Sequence, residues 1–192
     1  MAKKDFSEWT QKMENSVKTK WGIDPTHSEV AFKVKHLMIT NVKGTFKEFE
    51  ASIFTSGENF NTSEIEFSLN PASIDIGVSD RDGHLKSADF FDVENYKEIT
   101  FKGTSIEAID EDNYTVVGDI TIKGIAKQIK LDVEFGGVMK DPWGNEKAGY
   151  SINGKISRKD WGLNWNATLE TGGLLVSDEV KINCEVQLIK QS

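Results

Sequence analysis

The chain has 192 residues, of which 38% are hydrophobic and 28% charged, the composition of an ordinary folded domain and not of a disordered or fibrous protein. Its 23 basic and 31 acidic side chains give a formal net charge of −8, which repels nucleic acid and anionic membrane leaflets. The single cysteine, Cys184, excludes an intramolecular disulfide and a thiolate zinc cluster and is typical of a reducing compartment.

The first twenty residues carry an apolar stripe at helical spacing. Phe6, Trp9, Met13 and Val17 follow one another at intervals of three, four and four, which predicts an amphipathic helix over residues 1–20. This helix either packs against the outside of the domain or docks on a membrane surface or a partner protein. The segment lacks the apolar core of a signal peptide, and no run is long enough to cross a bilayer. We therefore expect a cytoplasmic protein without stable membrane insertion.

From Trp21 onward the apolar residues alternate with polar ones, so residues 21–192 are predicted to form one β-domain. Eight alternating runs occur, and each has one face suited to a core. The inward-facing sets are Val30, Phe32 and Val34; Val42, Gly44 and Phe46 with Phe49, Ala51 and Ile53; Ile65, Phe67 and Leu69; Ile99, Phe101 and Gly103; Tyr114, Val116, Gly118, Ile120 and Ile122; Ile129, Leu131, Val133 and Phe135; Tyr150, Ile152, Gly154 and Ile156; and Val180, Ile182, Cys184, Val186 and Leu188.

In the second run the apolar parity changes, which predicts one long, bent strand with a bulge near Lys47 and Glu48. Connections such as 110–113 and 123–126 are short and carry Gly, Asn or Asp, which favours hairpins and an antiparallel sheet. Eight amphipathic antiparallel strands predict an all-β, up-and-down barrel, because closure removes exposed edges. A two-sheet sandwich has the same local pattern and stays open at this point.

Two long segments interrupt the strands. The first, residues 73–97, contains Ser79 three residues before Asp82, which resembles a capping box and predicts a short helical insertion carrying Arg81, His84 and Leu85. The second, residues 157–177, contains two tryptophans and the pair Gly172-Gly173. Loops of this length are uncommon unless they are functional, and we expect their aromatic side chains to pack over a barrel mouth.

Several blocks of the sequence together resemble the YceI-like family. They are WGIDPTHSEVAFKVKHL, VKGTFKEF, RDGHLKSADFFDVENYKEITFK, GDITIKGIAKQIKLDVEF, DPWGNEKAGYSINGKISRKDWGLNW and LLVSDEVKINCEVQL, which extend from Trp21 to Leu188. The resemblance implies a lipocalin-like barrel whose elongated apolar interior holds a long-chain isoprenoid lipid, such as an isoprenoid quinone or a polyprenyl phosphate, often in a homodimer. It implies no catalytic reaction and no cofactor. Many relatives are periplasmic, a location that the polar start of this chain does not support.

The residues themselves fit a lipid cavity. An eight-stranded barrel is just wide enough either to be filled by side chains or to hold one ligand. Gly103, Gly118 and Gly154 share the inward parity of their strands, so they either leave room for a ligand or mark bends of the barrel. Burial of an isoprenoid chain would stabilise the complex by roughly 25 cal/mol for each Å² of apolar surface removed from water.

Polar residues near the predicted mouth are candidates to hold a head group. His36 continues the inward parity of its strand, and Arg81 offers a fork of donors to a phosphate or carbonyl. Either residue also has a purely structural interpretation: His36 bonds a backbone carbonyl, or Arg81 pairs with Asp80 or Asp82. Arg158 either reaches the interior or pairs with Asp160. The predicted ligand-binding residues are Phe32, Val34, His36, Phe67, Arg81, His84, Leu85, Phe90, Phe91, Phe101, Tyr114, Ile152 and Arg158.

In the resemblance, His36, the block from Arg81 to His84, Phe90-Phe91 and the block from Arg158 to Gly162 carry over as positions around the pocket mouth. Phe90 and Phe91 then either form an apolar cover over the bound chain or simply pack between the loop and the core.

Two other function classes stay open. The first is a zinc enzyme, in which His27, His36 and His84 would be the metal ligands, but the spacing of these histidines matches no short metal signature. A barrel with a filled interior would instead act through its surface tryptophans and the N-terminal stripe. No metal site is predicted, and the sequence favours a lipid-binding barrel.

Overall fold

The computed structural model describes residues 18–57, 59–167 and 175–191. Eleven strands and one α-helix lie within these ranges. The strands are β1 (Lys18–Ile23), β2 (Glu29–His36), β3 (Thr40–Phe46), β4 (Phe49–Ser56), β5 (Asn59–Leu69), β6 (Ile74–Asp75), β7 (Ile99–Ala108), β8 (Asn113–Ile122), β9 (Ile125–Lys140), β10 (Glu146–Ser157) and β11 (Glu179–Lys190); the helix is α1 (Ser79–Lys86).

Eight strands close into an antiparallel barrel in the order β1, β4, β5, β7, β8, β9, β10 and β11, which confirms the predicted barrel over the sandwich. The barrel closes at β11, which pairs with β10 along eleven successive residues. On its other side, the end of β11 pairs with β1, and its beginning pairs with β2. A two-strand extension, β3 followed by β6, continues from β2.

The first four strands form one long hairpin with an interruption in each arm. β2 pairs with β3, and β1 pairs with β4. The predicted irregularity falls at Lys47 and Glu48, but it separates two strands and is not a bulge in a continuous one. Both backbone N–H groups donate to the Ser73 hydroxyl, at 3.1 and 3.0 Å. The long insertion therefore satisfies the donors that the break leaves without a strand partner.

The insertion between β5 and β7 contains a 3-10 helix (Pro71–Ser73), β6 and α1. The predicted helix is confirmed, but the capping box is wrong. Val78 is the N-cap residue, and no side chain caps this end. The Asp82 carboxylate instead accepts the backbone N–H of Ile76 at 2.8 Å. Asp82 is therefore used to hold the connection between β6 and α1.

The apolar stripe Phe6, Trp9, Met13 and Val17 lies outside the described residues. Of the segment 1–20, the structure describes only residues 18–20, which begin β1. The N-terminal helix stays a prediction for the residues before them. Among the described residues, no helix has the length and apolar character needed to cross a membrane.

A salt-bridged network holds the connection between β1 and β2. The buried Asp24 carboxylate accepts hydrogen bonds from Lys147 Nζ at 2.9 Å and from the Thr26 hydroxyl at 2.7 Å, and it contacts His27 Nδ1 at 2.8 Å. Burial raises the pKa of Asp24, but these hydrogen bonds outweigh it and hold the pKa far below its ordinary value.

We expect Asp24→Asn to lower the free energy of unfolding at pH 7 by about 1–3 kcal/mol, because Lys147 loses its hydrogen-bonded anionic partner and keeps only Asp141, at 3.9 Å. The stabilisation from ionised Asp24 is fully present above the unfolded-state pKa of about 3.9 and is lost as the pH falls through the lower folded-state pKa. The difference between the two proteins should therefore shrink below about pH 4. Urea denaturation across pH measures it, and a difference that grows in acid would contradict the assignment.

Candidate functional site: the barrel lumen

Two apolar cavities lie in line inside the barrel. The first has a volume of about 320 Å³ and lies at the end covered by α1; the second, of about 200 Å³, lies towards the opposite end. Both have walls that are almost entirely hydrocarbon. Val30, Ile120 and Ile182 contribute to both cavities. The lumen therefore contains two adjoining chambers that share these three wall residues, here called the waist, and its interior is not filled by side chains.

The inward-facing glycines do not create this space directly. A Cβ at Gly118 would lie 2.4 Å from the ring of Phe101, and one at Gly154 would lie 2.7 Å from the Leu131 side chain. Gly103 adjoins a bulge and would place its Cβ 3.1 Å from Ile65. Of the two interpretations of these three glycines, the one in which they leave open room for a ligand is therefore wrong. They let large neighbouring side chains lie flat against the wall.

The structure brings every predicted ligand-binding residue to a cavity wall. Ligand contact itself stays a prediction. The first cavity is lined by Phe32, Val34, His36, Arg81, His84, Leu85, Phe90, Phe91 and Arg158, and the second by Phe67, Phe101, Tyr114 and Ile152.

An aromatic cluster forms the cover of the first cavity. The Trp165 ring contacts His84 edge-on, with centroids 4.7 Å apart, and it contacts the Phe90 ring at 5.4 Å. His84 Nε2 is 2.9 Å from an Asp89 oxygen, which orients the imidazole. His84 therefore acts as a packed wall group that joins α1 to the loop after β10.

Arg158 has a structural role in the same loop. Its side chain is only 4% exposed, and Nη1 donates to the carbonyl oxygens of Leu163 and Trp165. Nε donates to the carbonyl oxygen of Ser177 at 3.0 Å. Its ion-pair partner is Asp178, at 3.7 Å, and not Asp160 as one interpretation of the sequence had it. The donors of Arg158 are thus mostly used to fold the loop over the cavity.

Arg81 and His36 differ from Arg158. Both line the first cavity, and within the described ranges neither side chain has a hydrogen-bond or ion-pair partner. The exposed Lys35 also lies at this cavity. The mouth therefore presents two cationic side chains and one imidazole whose polar atoms are available to a ligand.

The far chamber is closed by aromatic rings. Phe60 contacts Trp21, Phe135 and Tyr150, with centroid distances of 5.2–5.6 Å. Burial raises the pKa of the Tyr150 hydroxyl, which has no hydrogen-bond partner in the described structure. Burial also raises the pKa of the Cys184 thiol, in the same chamber, to about 11. Both groups therefore stay neutral at physiological pH.

Some wall residues were missed by sequence reasoning. Ile76, Leu163, Leu175 and Val176 lie in irregular segments that close the first cavity. Irregular backbone has no repeating inward face, so periodicity gave no signal for them. Trp165 was expected to pack over the mouth, but its contact with His84 depends on the long-range docking of two loops.

A metal centre finds no support in the described ranges. Within 18–57, 59–167 and 175–191, no group of three or more His, Cys, Asp or Glu side chains is arranged to hold a metal ion. His27 binds Asp24 on the outside of the barrel, while the other two histidines line the first cavity.

The chain matches the YceI-like domain over residues 21–188. It is 39% identical to a UPF0312 protein of Staphylococcus epidermidis over 170 residues, which cover 88% of this chain and 96% of the relative. A Campylobacter jejuni YceI protein superposes with a TM-score of 0.68 at 35% identity, covering 82% of this chain and 90% of that one. A polyisoprenoid binding domain from Saccharophagus degradans shares the fold, with a TM-score of 0.62, 15% identity, and coverage of 89% and 98%.

We expect Arg158→Met to lower the free energy of unfolding by about 3 kcal/mol, because several buried carbonyl oxygens lose their donors. Lys159→Met is the matched control: it removes only an exposed 3.3 Å ion pair with Asp178 and should cost at most about 0.5 kcal/mol. Denaturant unfolding measures both. Equal losses in the two variants would contradict the structural role of Arg158.

Proposed function

We propose that this chain, which belongs to the YceI-like family, binds a long-chain isoprenoid-type lipid in its barrel lumen and holds or carries it without chemical change. The proposed ligand is an isoprenoid quinone or a polyprenyl phosphate. The observation that carries the proposal is the pair of apolar cavities that meet at a shared waist. A long, narrow hydrocarbon fits two chambers in line better than a compact ligand does.

The energetics favour an occupied lumen. Side chains that line an empty apolar chamber lack packing partners on that side. A hydrocarbon chain that fills both chambers supplies those contacts and gains the burial of its own apolar surface. The larger chamber also falls within the usual size range of ligand pockets.

The ligand class is supported by a protein of the same fold. The Saccharophagus degradans domain is described as polyisoprenoid binding, and we extend that class to this chain as part of the proposal. The mouth fits an amphiphile with its head outward, because Arg81, His36 and Lys35 lie there while the walls beyond are apolar. In this proposal the segment from Ser79 to Phe91 opens for uptake and then closes over the chain.

The proposal includes no catalytic step, since the polar groups at the mouth serve to retain the head group. A cytoplasmic location and a homodimer are likewise parts of the proposal.

The waist provides the sharpest test of lipid binding. Ile182→Trp should obstruct the passage between the chambers, so that affinity for a long prenyl quinone falls about tenfold or more while a chain short enough for one chamber binds as before. Glu185→Trp, on the outer face of the same strand, is the control and should bind like the unmodified protein. Native mass spectrometry after incubation with quinones of increasing chain length measures occupancy per protomer.

Identical occupancy of the two variants with long quinones would contradict binding through the waist. A protein that is bare as purified and also ignores every added prenyl lipid would sink the proposal. That result would instead favour a barrel acting through its surface.

The head-group site predicts a selective effect at the mouth. Arg81→Gln should weaken binding of a polyprenyl phosphate about tenfold or more, because a charge-assisted pair is lost, and should change binding of the matching uncharged polyprenol by less than about threefold. Lys86→Gln, at the other end of α1, is the control. Quenching of tryptophan fluorescence provides the binding curve, and an equal loss for phosphate and alcohol would argue against this role of Arg81.

A further inference from the structure

The turn between β2 and β3 carries three consecutive large apolar residues in water. Leu37, Met38 and Ile39 are 38%, 50% and 78% exposed. The turn directly adjoins the first cavity, because His36 before it and Val42 after it both line that cavity. Soluble proteins rarely place such residues together at a hairpin tip unless the tip meets another apolar phase.

The backbone of this tip is strained. Leu37 and Met38 have φ values of 54° and 62°, the left-handed region that bulky side chains seldom adopt. Asn-Gly is the pair that hairpin turns of this geometry prefer. The sequence therefore keeps apolar side chains where a polar, unstrained pair would be the more stable and more soluble choice.

A row of lysines crosses the outer face of the same side of the barrel. Lys155 lies directly opposite Lys181, Lys181 opposite Lys33, and Lys33 opposite Lys43. At about 4.8 Å between strands, the four residues span only about 15 Å. Like charges in directly opposed positions repel each other, so this row is unfavourable for the isolated fold.

Most of this charge is not neutralised within the described structure. Glu29 binds Lys43 at 2.6 Å, whereas Lys33, Lys155 and Lys181 have no ion-pair partner among the described residues. Glu179 lies two positions from Lys181 on the same strand. The formal net charge of −8 therefore conceals a local basic patch.

The distance between the apolar tip and the basic row matches the distance between the apolar part of a membrane interface and its charged surface. Lys33 precedes Leu37 by four residues, about 13 Å along an extended strand, and the exposed Lys35 lies between them. Interfacial segments bury their apolar groups by about 5–10 Å. A tip inserted to that depth leaves the lysine row about 3–8 Å from the membrane surface, within the distance of about 8 Å over which surface charge acts at physiological salt.

We propose that the Leu37–Ile39 tip and the basic row of Lys33, Lys43, Lys155 and Lys181 dock the protein on an anionic lipid bilayer, with the mouth of the first cavity against the membrane. This rests on the proposed function in that the bilayer is the source or destination of the cavity lipid. An acidic protein would satisfy the lysines but leaves the apolar tip in water, so the bilayer is the occupant that uses both features.

The test is co-sedimentation of the full chain with vesicles of phosphatidylcholine alone and of equal parts phosphatidylcholine and phosphatidylglycerol. Binding should require phosphatidylglycerol and decrease as salt rises. Lys33→Gln with Lys181→Gln should lower partitioning about tenfold or more, since each lysine near an anionic surface contributes about fivefold. Leu37→Asn with Met38→Gly should lower it similarly. The control, Lys102→Gln with Lys140→Gln, makes the same change in net charge on β7 and at the end of β9.

Thermal unfolding followed by circular dichroism shows that the variants are folded; neither docking pair should lower Tm, because one removes repulsion and the other removes strain. Equal partitioning of the lysine pair and its control, or full binding by the Asn-Gly tip, would overturn the proposal. So would equal binding to pure phosphatidylcholine. Quinone occupancy by native mass spectrometry is read separately: a protein that takes up quinone but ignores anionic vesicles refutes docking alone, and the reverse result refutes the cavity proposal alone.

Discussion

Closure of the sheet at β11 is the constraint on which the rest of the molecule depends. This strand bonds to β10 along one side and divides its other side between β1 and β2. The division lets the chain bend at the connection held by Asp24 without leaving β11 unpaired. With no free edge in the ring, the barrel needs no large filled core to protect its backbone hydrogen bonds, and the interior can keep open space.

The open space is maintained by side chains that lie against the wall. Phe101 covers Gly118, and Leu131 covers Gly154, so large apolar groups are present without filling the axis. The insertion and the loop after β10 then close one end, joined by the contact between His84 and Trp165 and by the carbonyl bonds of Arg158. The cover is held by a few aromatic and polar contacts, whereas the wall is held by continuous ladders. This difference is consistent with the proposed opening of the cover for lipid uptake while the barrel stays intact.

The distribution of charge matters more than its sum. A net charge of −8 indicates repulsion from anionic surfaces, yet pairing of β10, β11, β2 and β3 assembles four lysines from distant parts of the chain into one row. From the sequence alone, each of these lysines is predicted only to lie on the solvent-exposed face of its strand. Only their register places them opposite one another and near the apolar tip.

What the sequence determined by itself was local: which stretches alternate, which residues of each strand face inward, and that the first long insertion carries a short helix with Arg81, His84 and Leu85. The strand assignments follow from a period of two residues, which depends only on neighbours along the chain. Inward parity was sufficient to bring Phe32, Phe67, Phe101 and Ile152 to the lumen wall. The tertiary structure alone decided that Gly118 and Gly154 are covered, that Arg158 binds loop carbonyls and pairs with Asp178, and that Leu163 and Val176 line the first cavity. Each of these depends on packing between segments far apart in sequence, where no repeating pattern carries the information.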